Sequence, residues 1–341
     1  MALGPESLRV AIAGATSLRG KDLKQYMEES GFPAGEVRLF DEELAAGTLT
    51  EVGGEPTLVH AIDDSSFERI RFVFFTGSTS FAAKHSPAAL RAGSTVIDLS
   101  GGLLDVAGAR PWIPGLDALL SPPAVPVAAQ GRIDVCLSPS VPAIIASMLS
   151  AALAGWSITR LAIVFLQPVS ERGRAGVSEL EAQTVNLLSP HKIPQEVFDT
   201  QVAFNLLDRW CADSPEKLGD VRDRVAREVE RYLAGRTPVP ALTMIQAPVF
   251  FGHAFSVYVE FSETPAEGEI LRRLETVGFA TVPEGDPGPS NLSVAGEGQA
   301  NIRLAHRDHN IKNGYWLWGA ADNLRLGSIN AIRIAERLLA S

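Results

Sequence analysis

Short apolar runs alternating with stretches of helical spacing open the chain. Arg9 to Ala13, Glu36 to Phe40, Phe72 to Thr76, Thr95 to Leu99 and Ile133 to Leu137 are each nearly all apolar, as strands covered on both faces must be. The pattern predicts an α/β unit built on a parallel sheet with crossover helices. From about Thr159 the texture changes. The longer β-like runs Leu161 to Val169, Thr243 to Val249 and Phe255 to Phe261 have no short helical crossover between neighbours, which predicts a mixed or antiparallel sheet. Between them Ser214 to Leu233 reads as an amphipathic helix, with Leu218, Val221, Val225, Val229 and Tyr232 at spacings of three and four. Ser214 is placed to cap it and Pro215 to open it. The stretch Glu284 to Asn291, rich in Pro and Gly, reads as a surface loop and Gly327 to Leu339 as a final helix; no internal repeat is present.

The run from Val135 to Thr159 carries no charged side chain and has the length of a bilayer span. Ser138, Ser140, Ser147, Ser150 and Ser157, with Pro139 and Pro142, make it too polar and too broken for a lipid-facing helix, so no membrane partner is expected. A buried strand ending near Leu137, then a helix capped by Ser140 or Val141 with Pro142 at its first position, accounts for it. With 341 residues, 46% hydrophobic and 21% charged, the chain has material for a large core and about two domains. Its 30 Lys and Arg against 40 Asp and Glu give a formal charge of −10, which argues against nucleic acid as a partner. Cys136 and Cys211 lie in apolar stretches without a C-x-x-C pair, which excludes a disulfide framework and a zinc site. His306, Asp308 and His309 read as a surface turn rather than a metal site. The N-terminus has no basic region followed by a long apolar core, so no secretory signal and a cytoplasmic location are expected.

Candidate chemistry begins directly after the first run. Gly14, Thr16, Ser17, Leu18 and Gly20 form a turn between a strand and a helix, where backbone N–H groups and a helix N-terminus can meet a pyrophosphate. Ser17 stands where the middle glycine of the usual pattern would be; its Cβ crowds the approach, although its hydroxyl can donate a hydrogen bond. Asp41, about 20 residues beyond Gly20, is placed to accept hydrogen bonds from a ribose diol. Asp41, Glu42 and Glu43 would repel a 2′-phosphate, so the expected cofactor is NAD rather than NADP, weakly bound. A second small-residue turn, Thr76, Gly77 and Ser78, falls at the same carboxyl edge of the sheet.

These landmarks, together with Val96-Ile97-Asp98-Leu99-Ser100, Gln167-Pro168-Val169-Ser170 with Gly176, Glu179 and Leu180 beyond, Val202-Ala203-Phe204-Asn205, Pro248-Val249 before Gly252-His253, and Ala321-Asp322-Asn323-Leu324-Arg325, resemble the aspartate-semialdehyde dehydrogenase family over essentially the whole chain. The resemblance implies a Rossmann-like dinucleotide-binding domain over 1–137, a mixed-sheet substrate and dimerisation domain over 138–320 forming a homodimer, and a C-terminal helix over 321–341 that returns to the first domain. It implies a reaction in which a cysteine thiolate at a helix N-terminus attacks the acyl group of an aspartyl phosphate, a histidine handles protons and two arginines hold the anions. It makes His253 and Gln167 catalytic candidates, Ser100 a substrate contact and Asn323 a cofactor contact.

The departures fall on the chemistry. The family's nucleophile string matches Ser138-Pro139-Ser140-Val141, so Val141 stands where the thiol should be. Gln246 and Leu104 stand where the two arginines are expected, and neither can replace bidentate guanidinium binding. In this the chain looks similar to degenerate, Usg-type homologues of the family. The expected role is therefore ligand or partner binding with the family reaction impaired or lost. Two alternatives stand beside it: direct hydride transfer to another carbonyl with His253 as the acid, and pairing with a catalytic paralogue in a mixed dimer. A hydrolase built on Ser140 is disfavoured, because the family geometry turns position 141, not 140, to the histidine.

Overall fold

A computed structural model describes residues 8–340 apart from 53, 64, 121–132 and 190. The residues on which the expectation about a secretory signal rests lie almost wholly outside that range. The chain divides into two compact units, one formed by the described residues of Met1–Pro114, Pro122–Ser140 and Gly327–Ser341, the other by those of Gly115–Ser121 and Val141–Leu326.

The first unit runs β1 (Arg9–Ala13), α1 (Leu18–Glu29), β2 (Glu36–Asp41), β3 (Leu49–Val52), β4 (Glu55–Leu58), β5 (His60–Ala61), β6 (Phe72–Phe75), α2 (Thr79–Arg91), β7 (Thr95–Asp98), β8 (Arg110–Pro111) and β9 (Val135–Leu137). A seven-stranded parallel sheet has the order β5-β2-β1-β6-β7-β9-β8, and β3 and β4 form a separate antiparallel hairpin. Alternate residues of each strand enter opposite cores. Val10, Ile12, Phe72 and Phe74 pack with Leu23 and Met27 of α1 and with Ala331 to Ala335 of the last helix. Ala11, Ala13, Val73 and Phe75 pack with Phe81, Ala82 and Ala89 of α2 on the other side. Burial on both faces is the reason these runs lack polar alternation.

The second unit contains α3 (Val141–Leu153), β10 (Ile158–Gln167), α4 (Gly173–Leu187), α5 (Leu218–Leu233), β11 (Ala241–Gln246), β12 (His253–Phe261), α6 (Glu267–Thr276), β13 (Ala280–Thr281), β14 (Asn301–Arg307) and β15 (Gly314–Ala321), from which the chain enters α7 (Arg325–Leu339). Its six strands form a mixed sheet in the order β11-β10-β12-β15-β14-β13. The edge pairs β10–β11 and β13–β14 are parallel and the central pairs antiparallel. Helix α3 explains the uncharged stretch: twelve of its thirteen residues are buried, and it packs on β10, α5 and α6. Among the described residues no helix is long and apolar enough to cross a membrane.

Two helix starts differ from expectation. Helix α3 takes Val141 as its first residue, which puts Pro142 at its second position rather than its first. Helix α5 begins at Leu218, with Lys217 rather than Ser214 at the cap. The Ser214 hydroxyl donates instead to the Val197 carbonyl at 2.8 Å, and the Lys217 ammonium gathers the Cys211, Ala212 and Ser214 carbonyls into a turn that stops the helix from extending backwards.

Candidate functional site

In the first unit two turns meet backbone to backbone at the carboxyl edge of the sheet. Gly14 has φ +95°, and a Cβ there would lie 2.4 Å from the Gly77 nitrogen; one on Gly20 would lie 2.4 Å from the Gly14 carbonyl oxygen. Only glycine admits this approach. Ser17 caps α1, its Oγ accepting from Gly20 N at 2.9 Å and donating to the Thr76 carbonyl at 3.0 Å, so the hydroxyl that sequence offered to a phosphate joins the two turns. The Thr76 hydroxyl lies 3.0 Å from the Gly14 carbonyl oxygen, and Ser78 caps α2 by accepting from Phe81 N at 3.1 Å. The glycines let the two turns close on each other, and the N-termini of α1 and α2 at this edge fit a dinucleotide's phosphates.

Asp41, the last residue of β2, accepts from both the amide and the hydroxyl of Thr16 at 2.7 Å through Oδ2, and from Glu42 N at 2.9 Å through Oδ1. It secures the turn while lining a cleft of about 410 Å³ with Glu42, Glu43, Ser80, Lys84 and His85. Sequence reasoning missed Lys84 and His85, which reach the cleft only because α2 starts beside the end of β2. Burial, helped by the Lys84 ammonium, pushes the His85 imidazole below its ordinary pKa. The remaining first-unit candidates are engaged locally. The Ser100 hydroxyl donates to Asp98 Oδ1 at 2.6 Å and accepts from Gly102 N at 3.0 Å. Burial raises the Asp98 pKa against the lowering effect of bonds from Ser100 and Leu103. Leu104 is a buried apolar core residue.

In the second unit the inner face of the mixed sheet ends in polar side chains. Along β10 the buried series Leu161, Ile163 and Phe165 runs into Gln167; on β11 Met244 leads to Gln246, and on β12 Phe255 leads back to His253. Gln167 pairs directly with Gln246 in the parallel register, and the antiparallel pairing Leu166 with Ala254 brings His253 beside Gln167. All three side chains are buried. His253 Nε2 lies 3.3 Å from Glu171 Oε1, yet neither imidazole nitrogen has a hydrogen bond of good alignment. Asn323, expected to face the cofactor, donates to Glu171 Oε1 and Ser170 Oγ at 3.0 Å and accepts from Gly252 N at 2.9 Å. Glu171 was not a sequence candidate; its position directly after the Gln167-Pro168-Val169-Ser170 string was the available signal.

The thiols are elsewhere. Cys136 is wholly buried in β9, where burial pushes its pKa to about 12, and Cys211 is exposed in a turn. Val141 is buried at the head of α3. Of the suspected surface cluster, Asp308 closes the β14–β15 turn by accepting from Asn310 N, Ile311 N and Trp316 Nε1, and among the described residues no group of three metal-ligating side chains assembles.

Comparison with known proteins matches this arrangement along the chain. Residues 9–116 match the family model described as semialdehyde dehydrogenase, NAD binding domain, and residues 149–326 the model described as semialdehyde dehydrogenase, dimerisation domain. A Pseudomonas aeruginosa protein named USG-1 protein homolog is 31% identical over 340 residues, covering 98% of each chain. Aspartate-semialdehyde dehydrogenase 2 of Vibrio cholerae is 26% identical, again over 98% of each. Among solved structures, a probable aspartate-semialdehyde dehydrogenase from Pseudomonas aeruginosa superposes with a TM-score of 0.87 at 30% identity, covering 98% of this chain and 99% of that one. The Vibrio cholerae aspartate semialdehyde dehydrogenase II complexed with ASA gives 0.86 at 25% identity over 99% of both. With both domains matched in order and a relative above 30% identity along its whole length, this chain belongs to the aspartate-semialdehyde dehydrogenase family.

Proposed function

We propose that this chain is a dinucleotide-binding, homodimeric member of its family that does not carry an acyl group on a cysteine, and that it acts by binding a small ligand or a protein partner. The observation that carries the reading is Val141 at the first position of α3, where the family resemblance calls for a thiol. An alkyl side chain cannot attack a carbonyl, and neither cysteine substitutes: the Cys136 thiol is buried and stays protonated near neutral pH, and Cys211 lies in a turn before α5. Gln246 and Leu104 in place of arginines remove the charges that would hold an acyl phosphate and a carboxylate.

The cofactor in this reading is NAD rather than NADP, because Asp41, Glu42 and Glu43 line the cleft beyond β2 against the single ammonium of Lys84. Binding is weak, since Ser17 keeps a Cβ at the turn and its hydroxyl is engaged. The outer face of the mixed sheet, with half-buried Val164, Leu166, Tyr258, Trp316 and Trp318, suits pairing with a second copy. Purified protein given aspartate semialdehyde, phosphate and either NAD or NADP is expected to show no turnover; rates of ~1–10³ s⁻¹, ordinary for enzymes, would overturn the reading.

One observation favours a second reading. The His253–Glu171 contact of 3.3 Å is the arrangement of a proton donor oriented by a carboxylate, which suits reduction of a carbonyl without a covalent intermediate. A bound nicotinamide would supply the hydride; His253 would protonate the oxygen. NADH oxidation by a carbonyl in a substrate panel supports this reading, and absence of nucleotide binding eliminates it.

A further inference from the structure

The strand-end cluster of the second unit has an unequal inventory of donors and acceptors. Gln246 Nε2 donates to the Gln167 carbonyl at 2.9 Å and to the Ala247 carbonyl at 3.0 Å. Both its N–H groups are engaged, and the orientation of the amide is fixed, because a flip would set its oxygen against two carbonyl oxygens. Oε1 is left as a buried acceptor with no partner among the described residues. The adjacent Gln167 amide is unpartnered at both Nε2 and Oε1, and so is Nδ1 of His253, whose Nε2 faces Glu171 Oε1 at 3.3 Å. Four polar atoms on three neighbouring, buried side chains thus lack partners among the described residues. An unsatisfied buried polar atom is costly, so partners from outside the fold are expected.

The charge beside the cluster is negative. Glu171, 18% exposed, brings a carboxylate to the rim of the cluster. Arg172, the next residue, turns away to Glu216 and lies over the Trp210 ring, its guanidinium carbon 5.3 Å from the ring centre. A ligand carboxylate has only acceptors and would face the fixed oxygen of Gln246. An ammonium has only donors and would leave the Gln167 N–H groups unmet. A primary carboxamide satisfies both sides at once.

We infer that this site takes the primary carboxamide of an uncharged small ligand: its C=O accepts from the Gln167 amide, one N–H donates to Gln167 and the other to Gln246 Oε1. The inference rests on the reading of this chain as a non-thioester member of its family and names the ligand class of the same site.

Isothermal titration at pH 7 with succinamide and succinate tests it on the intact protein. Succinamide is expected to bind at least tenfold more tightly than succinate. Gln167→Met, which keeps the volume and removes the amide, is expected to weaken succinamide at least tenfold. Gln246→Arg is expected to reverse the order of the two ligands; should that variant not fold, Gln167→Met carries the test. Equal affinities, a preference for succinate, or no binding of either ligand overturns the inference while leaving the reading of Val141 standing. Turnover of aspartate semialdehyde overturns that reading whatever the diamide does.

Discussion

Glu171 stands 3.3 Å from His253 Nε2, and Asn323 holds it there. Asn323 joins three chain segments: the Ser170-Glu171 turn after β10, Gly252 before β12, and its own position after β15. Strand pairing fixes the inner-face side chains, and the Asn323 amide ties the carboxylate down beside the imidazole. The position belongs to the sheet's end, where the chain leaves regular pairing and side chains must replace main-chain partners.

Asn323→Ala is therefore expected to lower the stability of the folded protein by about 2 kcal/mol, since it leaves the buried Gly252 N–H without an acceptor. Glu171→Gln keeps an oxygen to accept from Asn323 and should cost under about 1 kcal/mol. Urea denaturation of Asn323→Ala, Glu171→Ala and the double variant should reveal coupling of at least about 0.5 kcal/mol. Additive losses would contradict the assignment of Asn323 as the positioning residue.

A buried carboxylate, Glu179, holds a long loop. Glu179 on α4 accepts from the backbone of Glu196 at 2.7 Å, Val197 at 2.6 Å and Phe198 at 3.2 Å, while the Gln183 oxygen one turn later accepts from Val202 at 2.7 Å and Ala203 at 3.0 Å. Glu179→Gln turns one acceptor atom into a donor facing N–H groups, with an expected loss of about 2–3 kcal/mol. Amide hydrogen exchange at residues 196–198 should accelerate while that of β10 stays slow; unchanged exchange would show that the loop is held by its apolar contacts instead.

The sequence carried the first unit well and the second unevenly, for a physical reason. Strands buried on both faces, such as Phe72–Phe75, announce themselves as unbroken apolar runs. Strand β15 hides: Gly314, Gly319 and half-buried Trp316 and Trp318 blur its alternation, and its partner β14 buries only Ile302 fully. Two-residue strands such as β5 and β8 have no periodicity to read. At the site, Gln167, Gln246 and His253 were legible as positions. Their hydrogen-bond inventory was not, because the partners of Gln246 are main-chain carbonyls. Glu171 and Asn323 escaped a correct reading because their relation exists only once β10, β12 and β15 lie side by side.

Alkaline pH should destabilise the fold through Cys136. Burial raises its thiol from 9.0 to about 12, so between those values the unfolded chain releases a proton that the folded chain retains. The folded state binds more protons in that window, and stability must fall as pH rises through it; below about 9 the contribution is constant. Urea midpoints measured from pH 8 to 11 should decline, and Cys136→Ala should flatten the decline. Tyr232 and Tyr315, also raised by burial, leave a residual slope. An identical slope in the variant would remove Cys136 as its source.

The cleft beyond β2 sets the final expectation. Asp41 is engaged with Thr16 and caps the glycine turn, so removing it would disturb the fold of the site as well as its charge. Glu42 and Glu43 line the same cleft and are exposed, which makes them the residues to change. Replacing both by Gln should leave NADH affinity nearly unaltered and raise NADPH affinity about three- to tenfold, the range that screened surface charges can deliver. Lys84→Ala should move the ratio the other way. Fluorescence titration of both cofactors at low and high salt checks this, because the charge effect must shrink as the Debye length falls to about 3 Å near 1 M salt. A wild-type preference for NADPH, or a ratio indifferent to salt and to both substitutions, would mean that the acidic edge does not meet the ribose.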